Sequence, residues 1–424
     1  MAELPAAGQS RIAGSTTLIA VVIALFFLWG GVTSLNDILI PKLKDLFRLS
    51  YAEVMLTQFA FFTAYAVVSL PAGIAVARLG YGRGIVLGLG MMSAGCLLFI
   101  PAASNATFGM FLGALFVLAA GVTVLQVAAN PLIANLGSAD SAHSRLTFAQ
   151  AFNALGTTVA PLVGAQIILG SIATTDSASL SGAALQAHQA REAAVIGHSY
   201  LGIAILLILI ASIFWLWRNR LGAPKATPGM SVGLALLKRP RFALGVLAIF
   251  LYVGAEVTIG SLLANYLMQP AIMGLDPRSA GEHIAFYWGG AMVGRFIGGA
   301  VLRIVTPGRA LAGAAACAAI LVLLSSLSAG SFAGWALIAV GLANAIMFPT
   351  IFSIAIDGLG DKTPQGSGLL CMAIVGGAIV PLLAGAMADQ GSISIALAIP
   401  AACYVFIALF GATASRRPVP RSAS

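Results

Sequence analysis

The sequence predicts an all-α integral membrane protein whose twelve transmembrane helices form two pseudo-symmetric halves of six. The first observation is composition: hydrophobic residues make up 60% of the chain and charged residues 8%, against about 25% charged in a soluble domain. The second is the division of the chain into twelve apolar runs, each close to the roughly 20 residues that cross a bilayer. The third is that short sequence segments of the first half recur, in similar form, in the second half.

Each predicted span is an apolar run bounded by polar or basic loop residues, and glycine and proline occur inside many of them, as is normal for membrane helices. The twelve spans are 17–41, 54–77, 84–103, 107–135, 146–171, 197–217, 242–268, 283–304, 310–329, 333–356, 366–388 and 392–414. Because the number of spans is even, both chain termini are predicted to lie on the same side of the membrane.

The distribution of basic residues predicts which side of the membrane this is. Of the 22 lysines and arginines, 16 fall in the termini and loops of one side and 5 on the other, while Arg295 lies inside a span. Cytoplasmic loops are enriched in Lys and Arg, so both termini are predicted to be cytoplasmic. The formal charge of +9 is therefore spread over loops rather than gathered in one patch, and we expect no nucleic-acid partner.

The longest predicted cytoplasmic connection, 218–241, divides the chain into an N-terminal half, 1–217, and a C-terminal half, 242–424. GIAVARLGYGR at 73–83 is echoed by GGAVLRIVTPGR at 298–309, and TVAPLVGA at 158–165 by AIVPLLAGA at 378–386. Such parallel halves are typical of secondary transporters. We predict that four arginines take part in gating, with membrane snorkelling as the alternative for Arg295; they are Arg78, Arg83, Arg295 and Arg303.

Motifs of enzymes and of ATP-driven pumps do not occur in the chain. The patterns GxxxxGK[ST], HExxH and CxxC are missing from the sequence, and they are the signatures of phosphate-binding loops, zinc proteases and thiol redox or metal sites. The four cysteines lie inside apolar runs, where a free cysteine packs as a small hydrophobe. We expect no enzymatic activity and no cofactor, and a membrane-embedded enzyme is the remoter alternative.

Two carboxylates lie clearly within predicted spans, Asp37 in the first and Glu256 in the seventh. An ionised side chain at bilayer depth costs about 3 kcal/mol on insertion scales, so such residues face the protein interior and usually mark an ion or substrate path. We predict that Asp37 and Glu256 bind a coupling cation. The alternative for each is a buried ion pair or a protonated carboxyl that only packs.

Side-chain amides cluster on three spans of the N-terminal half. Gln126 and Asn130 are four residues apart on the fourth span, and Gln150 and Asn153 are three apart on the fifth, so each pair shares a helix face. Asn36 lies on the first span. An amide offers an acceptor and two donors, which suits hydroxyl groups that both donate and accept. The set predicts a polyol or sugar site; the alternative is that the amides only join helices.

The C-terminal half adds aromatic and polar candidates to this predicted site. Tyr252 lies four residues before Glu256, on the same face of the seventh span. Aromatic faces pack against the C–H faces of a sugar ring, while polar tips fix its hydroxyls. We predict that the substrate contacts on this side are Tyr252, Asn265, Trp288 and Asn344.

Four blocks of the sequence carry a family resemblance: FFLWGGVTSLNDILIPKLKDLF at 26–47, AANPLIANLG at 128–137, RLTFAQAFNALGT at 145–157 and MFPTIFSIAIDGLG at 347–360. Together they resemble the fucose:proton symporter family of major-facilitator transporters, which includes bacterial fucose and glucose/galactose importers. The resemblance implies the major facilitator fold, a central sugar site and cation-coupled import across a bacterial inner membrane. It also implies that Asp37 is the coupling carboxylate and that Gln150 and Asn153 contact the sugar.

One position departs from the fucose members, which resemble this chain at GVTVLQVAANP but carry a glutamate where it has Gln126. A neutral amide cannot exchange a proton, so the glucose/galactose branch is the better comparison. The coupling ion stays open between H⁺ and Na⁺, which Asp37 could ligate with neighbouring oxygens. We expect a monomeric hexose symporter in the lipid bilayer. The alternatives are a drug or metabolite exporter on the same fold and a membrane receptor that does not transport.

Overall fold

A computed structural model describes residues 16–47, 51–104, 107–164, 182–219, 221 and 229–415. Within these ranges the side chains of 35–47, 51–55, 103–104, 161–164, 182–196 and 230–231 lie outside the described part. The regular structure of the described chain is entirely helical, with no strand among these residues. This confirms the predicted all-α class.

Six long helices form the first half of the molecule. Their bounds are α1 Thr16–Phe47, α2 Tyr51–Leu79, α3 Tyr81–Ser104, α4 Phe108–Asn135, α5 Ala142–Gly164 and α6 Gly182–Trp217. The most central of them is α4, which is buried along almost its whole length from Ala114 onward. A helix that is apolar on all sides is either buried in protein or faces lipid, and both environments occur here.

The second half has more breaks in its helices. It contains α8 Pro240–Met268, α9 Pro277–Val301, α10 Pro307–Leu327, α11 Gly330–Asn344, α12 Met347–Ile356, α13 Thr363–Met372, α14 Gly376–Gln390, α15 Ile393–Ala396 and α16 Ala398–Ser415. A proline opens each of α8, α9 and α10, where the first-turn N–H has no helical partner to lose. The predicted tenth span is interrupted after Asn344, so it consists of α11 and α12 rather than one continuous helix.

Eleven helical stretches among the described residues are long and apolar enough to cross a membrane. They correspond to all the predicted spans except the fifth. At the place of the fifth lies α5, whose described part is shorter than the predicted run 146–171 and carries the polar residues Gln150 and Asn153. With α5 counted, the helices agree with the twelve predicted from the sequence.

The two halves pack their helices in the same pattern. In the first half α3 packs on α4 and α6, α2 on α4, and α1 on α5. In the second half α10 packs on α11 and α16, α9 on α11, and α8 on α14. These pairings correspond one to one when α8 is taken as the repeat of α1. The duplication indicated by the sequence echoes is therefore present in the helix packing.

A glycine allows a very close helix contact at the same place in each half. A Cβ on Gly156 of α5 would lie 2.0 Å from the Phe27 carbonyl oxygen of α1, and a Cβ on Gly376 of α14 would lie 2.0 Å from the Phe250 carbonyl oxygen of α8. Any larger residue would force the two backbones apart. These contacts hold α5 against α1 and α14 against α8 at equivalent places in the two halves.

At the end of the molecule where α1 begins, the two halves are packed together. Ser144 Oγ on α5 donates to the Gly299 carbonyl oxygen on α9 at 2.5 Å. Ser367 Oγ on α13 donates to the Val127 carbonyl oxygen on α4 at 3.0 Å. The helices α2 and α13 of the two halves also pack on each other. The helix α7, Met230–Ala235, lies within the predicted linker 218–241 and packs on both α2 and α13 at this closed end.

Candidate functional site

A cavity of about 940 Å³ lies between the two halves, within the range of small-molecule sites, about 300–1,000 Å³. Its polar and aromatic lining comprises Trp29, Thr33, Ser34, Thr57, Gln58, Phe61, Tyr65, Phe99, Phe111, Gln126, Gln150, Asn153, Thr157, Thr158, Tyr252, Glu256, Trp288, Arg295 and Phe348. The lining reaches the first described turns of α2 and the last described turns of α5. The cavity therefore extends toward the end where α1 finishes, opposite the closed end.

The wall on the N-terminal half carries four side-chain amides, those of Gln58, Gln126, Gln150 and Asn153, and each of the last three is held by one hydrogen bond. Gln126 Nε2 donates to the Tyr65 hydroxyl at 2.6 Å, and Asn153 Nδ2 donates to the Phe26 carbonyl oxygen at 3.0 Å. Gln150 Nε2 donates to Asn130 Oδ1 at 3.3 Å. No described residue donates to the side-chain oxygens of Gln126, Gln150 and Asn153, so within the described part of the chain nothing competes with a ligand for these acceptors.

Asn130 stands behind this wall rather than in it. Its side chain is completely buried, it does not line the cavity, and it accepts the hydrogen bond that orients Gln150. The predicted substrate contact at Asn130 is thus replaced by a positioning contact. The reason is that the shared face of Gln126 and Asn130 passes from the cavity into the packed end of α4, where Asn130 Nδ2 finds no partner among the described residues.

The orientation of α5 is set at its first turns. Arg145 donates from Nη2 to the Ala134 carbonyl oxygen at 2.6 Å and from Nε to the Ile133 carbonyl oxygen at 3.2 Å. These bonds satisfy carbonyls at the C-terminus of α4, where a cation is favoured. The corner between α4 and α5 is fixed in this way, and it directs Gln150 and Asn153 toward the cavity.

On α1 the described lining ends with Thr33 and Ser34, whose hydroxyls donate to carbonyl oxygens of the preceding turn. Asn36 and Asp37 follow on the same helix, but their side chains lie outside the described residues. The predicted coupling role of Asp37, with H⁺ or Na⁺, stays a prediction. Among the described residues, no group of three or more His, Cys, Asp or Glu could hold a metal ion.

The wall on the C-terminal half contains a carboxylate and a guanidinium. Glu256 Oε1 on α8 accepts a hydrogen bond from the Tyr252 hydroxyl at 2.7 Å and lies 3.8 Å from Arg295 Nη2 on α9. The side chains of Glu256 and Arg295 are 13% and 15% exposed, and both line the cavity. Arg295, predicted to act in gating, is therefore placed at the central cavity and beside an acid.

Asn344 supports this wall from behind. It is completely buried at the break between α11 and α12, and its Nδ2 donates to the Tyr287 hydroxyl at 2.9 Å. Tyr287 in turn donates to the backbone carbonyl oxygen of Glu256 at 3.2 Å. Asn344 does not line the cavity. Instead of the predicted substrate contact, it makes a link in a network that joins α11, α9 and α8.

Of the two other predicted substrate contacts, Trp288 and Asn265, one lies at the cavity and the other does not. Trp288 lines the cavity, with 43% of its surface exposed and its ring packed edge-on against Tyr287. Asn265 is exposed and lies outside the cavity lining. Asn265 comes nine residues after Glu256, and at about 100° per residue this places it on the opposite face of α8.

The remaining predicted gating arginines lie at the closed end. Arg303 Nε donates to Ser144 Oγ at 3.4 Å, so it bridges the end of α9 and the start of α5 across the two halves. Arg78 and Arg83 are exposed on either side of the junction between α2 and α3. These positions agree with the predicted inner ends of the spans, and the gating role itself stays a prediction.

The cavity residues of α2 were not predicted from the sequence. Gln58, Phe61 and Tyr65 line the cavity from one face of this helix. Their spacing of three and four residues was visible in the sequence, but Phe61 and Tyr65 sit in an apolar run where aromatic residues are ordinary packing residues. Tyr287 was also overlooked, because its role depends on a buried partner, Asn344, on another helix.

Comparisons with known proteins agree with this architecture. Residues 21–373 match the family model of the Major Facilitator Superfamily. The chain is 50% identical over 395 residues to a glucose/galactose transporter of Brucella abortus biovar 1 (strain 9-941), covering 92% of each protein. It is 34% identical over 419 residues to the L-fucose-proton symporter of Escherichia coli (strain K12), covering 95% of this chain and 94% of that protein.

A solved structure matches the fold over nearly its full length. The crystal structure of a single-residue variant of the E. coli fucose:proton symporter FucP has a TM-score of 0.86 and 32% identity, and covers 95% of this chain and 99% of that chain. FucP in the outward conformation has the same TM-score, and covers 94% of this chain and 99% of that chain. The resemblance identified from the four sequence blocks is confirmed by these matches.

Proposed function

Since the chain belongs to the major facilitator superfamily, we propose that it is a secondary active symporter that imports a neutral monosaccharide together with a cation. The observation that carries the proposal is the row of three cavity amides, Gln126, Gln150 and Asn153, each anchored through an N–H group with its oxygen left to a ligand. The printed names of the relatives, glucose/galactose transporter and L-fucose-proton symporter, support a hexose or 6-deoxyhexose as substrate.

The two walls of the cavity suit the two faces of a pyranose. Each sugar hydroxyl both donates and accepts, and the amide oxygens and remaining N–H groups supply both partners. On the other side Trp288 and Phe348 offer aromatic surface to the C–H face of the ring. Trp29 on α1 adds an aromatic ring to the lining from the N-terminal half. An exporter of apolar drugs would be served by a cavity with fewer anchored amides.

Coupling requires a group whose charge differs between loaded and empty carrier, and we assign this role to Asp37. Bound H⁺ or Na⁺ neutralises the carboxylate, so that the loaded carrier can close around the sugar. Without the cation, an ionised Asp37 would have to be enclosed in a drier interior, which disfavours closure. The difference in stability between these states is the coupling free energy.

The orientation follows from the basic loops. We place both termini in the cytoplasm of a bacterial cell and the carrier, as a monomer with halves 1–217 and 242–424, in the inner membrane. In that orientation the packed end is cytoplasmic and the cavity faces outward, in keeping with the similarity to outward-facing FucP. Opening to the cytoplasm would break the contacts between α2 and α13 and between α5 and α9.

Sugar counterflow in proteoliposomes tests the proposal. Vesicles holding a high concentration of an unlabelled hexose should take up the labelled sugar transiently, because exchange needs substrate recognition and alternating access but no ion gradient. A panel of glucose, galactose, mannose and fucose then ranks the substrates. Vesicles without protein are the blank. If none of the four sugars gives counterflow, the chain is not a carrier of these monosaccharides.

A further inference from the structure

The carboxylate and guanidinium on the C-terminal wall form a pair that is electrically neutral as a unit. Glu256 and Arg295 are both largely buried, and Nη2 of Arg295 lies 3.8 Å from Oε1 of Glu256. Tyr252 donates to the same oxygen at 2.7 Å. The guanidinium of Arg295 lies close enough to attract the Glu256 carboxylate across the gap between α8 and α9.

Both members of the pair keep unused hydrogen-bonding capacity. Arg295 has five N–H donors, and none of them donates to a residue in the described part of the chain; its Nε is buried without a partner there. Tyr252 and Arg295 both contact Oε1 of Glu256. The other carboxylate oxygen, Oε2, accepts no hydrogen bond from the described residues. Unpaired polar groups at a cavity are costly unless a ligand or water meets them.

The unused hydrogen-bonding groups of the two side chains are acceptors on Glu256 and donors on Arg295. A carboxylate only accepts and a guanidinium only donates, whereas a sugar hydroxyl does both. One hydroxyl can donate to Glu256 Oε2 while its neighbour on the ring accepts from Arg295. The planar arginine fork favours such paired oxygens over a single one. Because the pair has no net charge, it matches an uncharged ligand and opposes an anionic one.

We propose that Glu256 and Arg295 form a hydroxyl clamp, a second sugar subsite that reads two adjacent hydroxyls of a neutral pyranose from the C-terminal half. The inference rests on the proposed sugar transport and changes one part of the sequence prediction: Glu256 selects the sugar, and coupling belongs to Asp37 alone.

The clamp also explains how the sugar can draw the two halves together. The amides lie on α4 and α5, and the clamp lies on α8 and α9. A ring that bonds both walls at once is held best when the walls approach each other, so a bound sugar favours closure. A sugar that lacks a clamped hydroxyl keeps the amide contacts and loses this part of the stabilisation.

The test uses Glu256→Gln, which keeps the shape of the side chain and removes its charge. We expect KM for the preferred hexose to rise about tenfold or more, the scale of a lost hydrogen bond to a charged group. We also expect the wild type to transport one monodeoxy analogue much more poorly than the parent hexose. In the variant this difference between the analogue and the hexose should be much smaller. The variant should still concentrate the sugar under the ion gradient at saturating sugar, at a lower rate than the wild type. Glucuronate and galacturonate should not compete with hexose in the wild type.

The matched control is Glu282→Gln, the same change at an exposed carboxylate on α9 whose partner is Arg278; its KM and sugar selectivity should equal those of the wild type. If Glu256→Gln fails to reach the membrane, Glu256→Gln combined with Arg295→Met leaves no charge buried alone and carries the same test. Loss of accumulation in Glu256→Gln with counterflow and selectivity intact would overturn the clamp and make Glu256 a coupling residue. Failure of the wild type in counterflow would instead overturn the proposed function.

Discussion

At the scale of single residues, the cavity amides differ in what holds them. Gln150 is fixed by another side chain, Asn130, within the N-terminal half. Asn153 is fixed by a backbone oxygen of α1, so it joins two helices as well as facing the cavity. Removing the two amides should therefore have different consequences, although both are proposed to contact the sugar.

We predict that Gln150→Ala raises KM for the sugar about tenfold with little change in thermal stability, because it removes ligand hydrogen bonds. Asn153→Ala should raise KM and also lower the melting temperature in detergent, because the bond to the Phe26 carbonyl oxygen is lost. The measurements are counterflow kinetics and a thermal melt. Asn265→Ala, on the opposite face of α8, is the control. An unchanged KM in Gln150→Ala would show that the amides only join helices and do not bind the sugar.

At the scale of elements, α5 contributes most to the site. Its start is fixed by Arg145, its middle faces the cavity with Gln150 and Asn153, and its Gly156 allows α1 to approach. The same helix packs on α9 of the other half. A change in the distance between α5 and α1 would therefore move the amide wall relative to Asp37, as well as weakening the fold.

A small substitution measures this helix contact. Gly156→Ala places a Cβ against the Phe27 carbonyl oxygen, and Gly376→Ala places one against that of Phe250. Overpacking of this kind costs about 1–3 kcal/mol, so both variants should melt at a lower temperature than the wild type. Gly385→Ala, where a Cβ meets nothing within 4 Å, should melt like the wild type. Equal melting of all three variants would contradict the close helix approach.

At the scale of the whole molecule, hydropathy was sufficient to predict the helix bundle. The first predicted span, 17–41, falls within α1, Thr16–Phe47, and the seventh, 242–268, within α8, Pro240–Met268. The tenth was predicted as one helix and is two, because the break at Asn344 depends on side-chain partners from other helices. Apolar character determines that a segment spans the membrane, and leaves the interruptions to tertiary packing.

The site was predictable in part for a related reason. Spacing shows which residues share a helix face, and it correctly grouped Gln150 with Asn153 and Tyr252 with Glu256 around one cavity. It does not show how deep along the helix a residue lies, so Asn130 and Asn344 were predicted as substrate contacts, whereas both are buried behind the wall of the cavity.

We propose that an ion gradient drives a neutral sugar through this carrier by way of Asp37. Its most direct test is hexose accumulation in proteoliposomes under an inward H⁺ gradient and, separately, an inward Na⁺ gradient. One of the two should concentrate the sugar above the outside level until the gradient is collapsed. Asp37→Asn should retain counterflow and lose accumulation. Accumulation under neither gradient, or full accumulation by Asp37→Asn, would contradict the account.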